Sequence, residues 1–490
     1  MKRYASFFVI AVMILCLCFM LFTRVRTPHN APQEELEAKT DVDAGADAAA
    51  SDAALAANDA ASADAGVATA AKPGEKPIRV TSLGWELVAP GVANPADGGA
   101  PVELAPETTL DAVQDRLAKG GDNPQGADIA IVPLPAFVAS YEKLRALDPK
   151  VFLIVGFSHG REEVHANTGA LLKAPPGADE VKLVALGSAT SADANMQKAG
   201  SESATVLGLF ALDLLGVAPS RIRMVAAGSE PAKTAPFSAV VRGAADERKV
   251  AFSTADASRF MPIVAIAPKS VLDARGKALE DWSRAWVDGL GRAKQDAPNI
   301  ARRLAAKENI VFAAGVGGAP DALVLVERLG QIEAETRMTT PATLDAVMQR
   351  TWQLARGGGL VTAAAPDPLP VDPRIMTVVT PDAEMKRAPQ AEGDAGTPTF
   401  VPPPAGSTAL VVYRAVDSAA DANAVAAQIG FLSGVFERAV FRVTAKGGDK
   451  AAKAIATAAH DKHAVPISRL ATAAGEPQGA FASVEILAPP

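Results

Sequence analysis

Two low-complexity segments divide this chain and limit what the rest of it can fold into. The first, residues 27–77, is rich in alanine and aspartate, as in Asp43-Ala-Gly-Ala-Asp-Ala-Ala-Ala-Ser-Asp. Alanine favours helix, but a run without a large apolar face cannot bury enough surface to offset the entropy of ordering it. The second, residues 366–406, holds Pro366-Asp-Pro-Leu-Pro and Pro402-Pro-Pro, and its proline density predicts a semi-extended spacer. What remains is an N-terminal segment (1–26), a body (78–365) and a tail (407–490).

A chain of 490 residues suggests two to four folded units at about 100–200 residues each. Hydrophobic residues make up 49% but aromatics only 5%, so the apolar count is inflated by alanine and overstates the core. The net charge of −7, with no basic stripe, argues against nucleic acid as the main partner. Both cysteines, Cys16 and Cys18, lie in the N-terminal apolar run, which leaves no disulfide framework or thiolate zinc site elsewhere. Five histidines and no HExxH pattern offer little to a transition metal, and no cofactor is expected.

Lys2 and Arg3 precede an apolar run from Ala5 to Phe22, at the lower limit of a membrane span. The run ends in Leu21-Phe22-Thr23-Arg24-Val25-Arg26, without the small residues that a signal-peptide cleavage site needs. Leu15 and Leu17 precede the two cysteines, which argues against lipidation. An uncleaved signal anchor at 5–22 is favoured over a cleaved signal. It would hold the chain at the inner membrane with its bulk in the periplasm.

The body alternates short apolar runs with helical spacing. Ile78-Arg-Val-Thr, Asp128-Ile-Ala-Ile-Val-Pro, Val151-Phe-Leu-Ile-Val, Val181-Lys-Leu-Val-Ala-Leu, Ile222-Arg-Met-Val and Pro262-Ile-Val-Ala-Ile-Ala read as strands. Helices are expected over 109–119, 202–215, 279–294, 300–306 and 343–355. This order predicts an α/β architecture with mostly parallel sheets.

The element order, with Gly84-Trp-Glu after the first strand, Ala127-Asp-Ile-Ala-Ile-Val-Pro-Leu-Pro, Gly156-Phe-Ser-His-Gly, Val184-Ala-Leu-Gly-Ser-Ala-Thr-Ser and Gly200-Ser-Glu-Ser opening a helix, resembles a type II periplasmic substrate-binding protein of the nitrate/sulfonate/taurine group. Pro236–Asp246 resembles the family's helix before the return crossover. The resemblance covers nearly all of 78–365. It implies two α/β lobes joined by two crossing segments, a small solute between them and an ABC-type permease as partner. Loops at strand ends would then supply the contacts: Trp85 and Glu86 after the first strand, Leu134 after the second, and Phe157, Ser158 and His159 after the third. Thr190 and the helix start at Ser201, Glu202 and Ser203 would complete the site, the helix N-terminus favouring an anion. Glu202 would be either a first-turn residue or a selector for an amine. Trp85 would either stack on the ligand or fill the core.

Gly156-Phe-Ser-His-Gly also fits G-x-S-x-G after an apolar strand, the setting of a nucleophile elbow, with Ser158 as nucleophile of a serine hydrolase. Against this, Arg161-Glu-Glu follows where small residues are favoured, and the later histidines are His165, too near, and His460 and His463, beyond the spacer. Solvated or capping roles suit His159 and His165 better than metal ligation.

In the tail, a strand at Ala409–Tyr413, a helix at 419–436, a strand at 439–444, a helix at 450–463 and a closing strand at 482–487 form a small α+β (βαβαβ) unit. Val465-Pro-Ile-Ser-Arg-Leu, Gly475-Glu-Pro and Val484-Glu-Ile resemble the OmpA-like peptidoglycan-binding family. The family's aspartate-bearing run is replaced by Ala445-Lys-Gly-Gly-Asp-Lys, and the arginine before its last strand is missing. Both groups that would pair with the ligand's charges are therefore absent, and the resemblance implies a degenerate domain whose cell-wall binding is lost or altered. The whole is read as a non-enzymatic, membrane-anchored solute-binding protein. The alternative is an envelope structural or interaction protein with a degenerate binding lobe.

Overall fold

A computed structural model describes residues 76–94, 101–167, 169–173, 180–186, 201–226, 228–244, 246–310, 318–339, 342–380, 399–416 and 421–490. The expected membrane segment at 5–22, the Ala/Asp-rich stretch up to residue 75 and Thr190 lie outside them. Among the described residues no helix is long and apolar enough to cross a membrane.

The strands of the first half are β1 (Ile78–Leu83), β2 (Val102–Glu107), β3 (Ile129–Pro133), β4 (Pro149–Ser158), β5 (Glu162–Ala166), β6 (Val181–Leu186) and β7 (Ile222–Ala226). Then follow β8 (Phe237–Val241), β9 (Lys249–Ser253), β10 (Pro262–Pro268), β11 (Ile332–Glu333), β12 (Thr408–Ala415), β13 (Val440–Ala445), β14 (Leu470–Thr472) and β15 (Ala482–Ala488). The main helices are α1 (Leu110–Lys119), α2 (Leu134–Leu144), α3 (Ser201–Leu214), α4 (Lys269–Gln295) and α5 (Ala297–Ala305). They continue with α6 (Ala322–Gly330), α7 (Leu344–Gly357), α8 (Pro373–Val379), α9 (Ala422–Val435) and α10 (Gly448–His463).

Local chemistry accounts for these boundaries. Ile129-Ala-Ile-Val-Pro is buried at every position, as a strand covered on both faces must be. α1 starts where the Thr109 hydroxyl accepts from the Ala112 N–H at 3.3 Å, and it stops at Gly120, whose φ of 72° only glycine adopts readily.

The strands form two body sheets. The first has the order β11-β4-β10-β3-β1-β2 and the second β7-β6-β8-β5-β9. The chain leaves the first lobe between β4 and β5 and returns between β9 and β10, so two short crossing segments join the lobes. The expectation of mostly parallel sheets needs correction, because both are mixed. β1 lies parallel to β2 and β3, but the returning β10 inserts antiparallel between β3 and β4. In the second sheet β6 is parallel to β7 and β8, whereas β5 is antiparallel to β8 and β9. β5 and β10 each adjoin a crossing, where the chain re-enters a sheet from the opposite end, while the short β11 pairs antiparallel with β4 at the edge of the first sheet.

The segment Pro236–Asp246 is not helical. Phe237-Ser-Ala-Val-Val is the fully buried strand β8 between β5 and β6. An aromatic and β-branched run buried on both faces has no reason to follow a helical period. The stretch read as a spacer begins packed rather than extended. Val151 N–H donates to Pro370 O and Asp372 N–H to Val151 O, both at 2.8 Å, and α8 follows with Ile375 and Met376 buried. Leu369, Val371, Ile375 and Met376 give it an apolar face that its prolines obscure in the sequence.

The tail sheet has the order β12-β15-β13-β14, with β13 and β14 parallel and the other pairings antiparallel. Arg469, from the Ser-Arg-Leu step, is a structural cap. Its guanidinium donates to Ala439 O at 2.8 Å, to Ser433 O at 3.1 Å and to Phe436 O, satisfying carbonyls at the end of α9 and in the turn that leads to β13. Burial pushes this guanidinium down to about 10, while the Glu437 carboxylate pulls the other way, so it stays charged at neutral pH. Val425, Ile429, Leu432 and Phe436 belong to the same apolar core as Phe210 of α3 and Phe260 of the second crossing. The Phe210 and Phe260 rings stack with centroids 4.0 Å apart, and Phe436 lies 6.2 Å from Phe210. Tail and body thus share a core.

Candidate functional site: the cleft between the lobes

β1 ends in a tight turn that aims a carboxylate into the cleft. Ser82 Oγ donates to Gly84 O at 2.7 Å, and Gly84 has φ 115°. A Cβ at this position would lie 2.6 Å from Glu86 Oε1, so both the backbone and the space call for glycine. The Glu86 side chain is only 2% exposed. Arg161, in the first crossing, donates to Glu86 Oε1 at 2.9 Å, and Arg328 of α6 stands 3.8 Å from Oε2. Oε2 accepts no hydrogen bond.

Around this pair lies a cavity of about 230 Å³. The first lobe contributes Leu83 to Glu86, Thr108 and, on and after α6, Val324, Glu327, Arg328 and Gln331. The second lobe contributes Arg161, Val241, Arg242 and Gly243. Three guanidiniums face two carboxylates, so the local balance is positive in a chain that is acidic as a whole. Arg242 reaches the mouth half-exposed, with Nε 3.8 Å from Glu163. Such a volume suits one small polar molecule, and the charged walls would orient it.

The expected site residues divide. Trp85 and Glu86 line the cavity, and Trp85 also belongs to the first-lobe core. Leu134 opens α2 inside the core. Phe157 is buried beneath the Arg259 guanidinium, 4.7 Å from its ring. Ser203 is buried in α3 with its Oγ unpartnered, and Glu202 stands in that helix's first turn. Neither Glu202 nor Ser203 is among the described residues lining the cavity. Arg161, Arg242 and Arg328 were not anticipated. Two of them follow strand ends, Arg161 just past Gly156-Phe-Ser-His-Gly and Arg242 just past β8, and that position was the available signal.

Ser158 ends β4 and is buried. Its Oγ donates to Glu162 and lies 3.2 Å from Thr254 Oγ1, which in turn accepts from Gly160 N–H at 2.9 Å. Burial pushes the Glu162 carboxyl up; the Arg161 charge and the Ser158 hydrogen bond pull it down without prevailing. His159 Nδ1 instead faces Glu333 at 3.7 Å, and His165, expected in a solvated or capping role, is buried with Nε2 2.9 Å from Glu163. A serine nucleophile needs a base at its hydroxyl; here the hydroxyl is bound to a carboxyl and a threonine that tie the two crossings together. Among the described residues no group of three or more His, Cys, Asp or Glu side chains could hold a metal ion.

No known protein family matches the chain, and no curated protein matches it in sequence. Similar solved structures include the periplasmic aliphatic sulphonate binding protein SsuA from Escherichia coli, at 12% identity and TM-score 0.40, covering 61% of this chain and 91% of that one. The periplasmic nitrate-binding protein NrtA from Synechocystis PCC 6803 is similar at 11% identity and TM-score 0.41, covering 64% and 90%. The ligand-binding component of an ABC-type import system from Staphylococcus aureus, with zinc bound, is similar at 11% identity and TM-score 0.40, covering 62% and 99%.

Proposed function

We propose that this chain is a non-enzymatic solute-binding protein that captures a small solute between its two lobes by hinge closure, and that the solute carries both an anionic group and an N–H or ammonium donor. The supporting observation is the charge layout. Glu86 is buried with Oε2 accepting no hydrogen bond, in a cavity whose other charged walls are Arg161, Arg242, Arg328 and the carboxylate Glu327. A zwitterion satisfies both signs, whereas a simple anion leaves Glu86 Oε2 without a hydrogen bond, at a cost of about 1–3 kcal/mol. Trp85 and Glu86 are the contacts from the first strand. Ser158, His159, Leu134, Phe157 and Thr190, with Ser201, Glu202 and Ser203, would shape the surroundings. Residues 5–22 would anchor the chain in the inner membrane with its bulk in the periplasm, next to an ABC-type permease. The OmpA-like tail would lack the groups that grip peptidoglycan.

The test is a thermal-shift and calorimetric screen of the protein against amino acids, aminosulfonates, simple sulfonates, nitrate and amines. A true ligand at 100 times its Kd adds about 2.7 kcal/mol of stability. Zwitterions should lead, and Glu86→Gln should lose the preference for the ammonium group. If no solute stabilises the protein, the alternative gains: an envelope scaffold with a degenerate lobe. One observation favours that alternative, the Glu86–Arg161 pair already bridging the cleft.

A further inference from the structure

We propose that the tail is an intramolecular clamp on the hinge, with Glu437 as the positioning residue that fixes the angle between the lobes. Its bearing on solute capture rests on the function proposed above; the clamp itself does not.

Glu437 lies just past the end of α9 and reaches two parts of the body. Arg259 Nη2 stands 2.7 Å from Oε2, Ser258 Oγ lies 3.4 Å from the same oxygen, and Thr339 Oγ1 donates to Oε1 at 2.6 Å. Ser258 and Arg259 belong to the second crossing, and Thr339 to the connection between β11 and α7. The buried Arg259 carries the link onward, because its Nη1 donates to Glu333 Oε2 at 2.9 Å on β11, the edge strand of the first sheet. Arg259 N–H also donates to Val435 O at 3.2 Å. On the other side, the Phe436 ring lies 6.0 Å from Phe252 on β9 of the second lobe. Three consecutive tail residues thus hold the crossing, the second lobe and, through Arg259, the first.

Hinge motion needs a few crossing residues to change φ and ψ. Arg259 cannot swing away from Glu333 or Glu437 without leaving a buried charge short of a partner, which is strongly disfavoured. Reorientation of the lobes therefore requires the tail to shift or release its grip, so hinge closure and the tail contacts are coupled, and a force or partner acting on the tail would be felt at the cleft.

The experiment measures the distance between lobes in the full chain, with Cys16→Ser and Cys18→Ser and spin labels at Lys119→Cys and Arg223→Cys. Without any solute, Glu437→Gln should shift or broaden the distance distribution. Thr339→Val, a milder change at the same carboxylate, should move it in the same direction by less. Glu485→Gln, which alters a tail pair with Arg442 away from the hinge, should leave it as in the parent. If Glu437→Gln and Thr339→Val both keep the parent distribution, the clamp is refuted. Because no solute is present, failure of the solute screen and failure of the clamp are read separately.

Discussion

Arg161 and Glu86 meet from opposite sides of the cleft, Nη1 to Oε1 at 2.9 Å, with the carboxylate almost fully out of water. The same guanidinium stands 3.9 Å from the buried Glu162. Truncating it would leave Glu86 with Arg328 alone, at 3.8 Å, and Glu162 without a cation. Removing one partner of a buried pair costs about 3–5 kcal/mol, most of it the penalty on the charge left behind. Arg161→Ala should therefore lose about 3 kcal/mol in urea denaturation, and Glu86→Gln, which removes the charge that needs a partner, should lose less. Equal losses, or an Arg161→Ala variant as stable as the parent, would contradict this account of the cleft.

Gly84 sets where that carboxylate points. Gly84→Ala puts a Cβ into space already held by Glu86 and forces an L-residue to φ 115°. A backbone held in such a region costs about 1–3 kcal/mol. The variant should be destabilised by that order, and whatever solute the parent binds should bind it more weakly, because Glu86 must move. Unchanged affinity in calorimetry would mean that Glu86 does not contact the solute.

Much of this arrangement is legible in the sequence, and the illegible parts share a cause. The strand β3, the helix α3 and the turn at Gly84-Trp-Glu follow from local composition, since a buried strand is a short apolar run and a turn with positive φ demands glycine. Arg161, Arg242 and Arg328 come from three distant parts of the chain, and nothing in their neighbours says that they meet. Phe436 likewise reads as the end of a tail helix. Its place beside Phe210 and Phe252 depends on tertiary packing that periodicity does not encode. Phe237-Ser-Ala-Val-Val shows the opposite failure, because a family pattern suggested a helix where the residues themselves favour a strand.

The shared core makes a thermodynamic claim. Phe436→Ala removes a large buried ring between tail and body, and such truncations cost about 3–5 kcal/mol. All four tryptophans lie in the body, so their fluorescence reports the body alone, whereas far-ultraviolet circular dichroism reports the whole chain. The two signals should give one midpoint in the parent, and Phe436→Ala should lower both together. A body midpoint that stays fixed while the dichroism falls earlier would show a tail that folds by itself.

The buried carboxyl at the crossings predicts a pH dependence with a definite sign. Glu162 lies between Ser158, Thr254 and Arg161, and burial holds its carboxyl above the ordinary carboxylate range. In the window between the unfolded and folded values, the folded state keeps a proton that the unfolded state has released. The unfolded state then binds fewer protons, so stability falls as pH rises through that window and is highest below it. This is opposite to a carboxylate held low by a salt bridge, such as Asp246 beside Ser238 and Arg248. Glu162→Gln keeps an acceptor for the Ser158 hydroxyl and carries no titratable proton. Its denaturation midpoint should vary less with pH above the ordinary carboxylate range and should exceed the parent's at pH 8. A parent whose stability climbs steadily from pH 5 to pH 8, with Glu162→Gln running parallel to it, would show that this carboxyl is ionised in the folded protein and paired with Arg161.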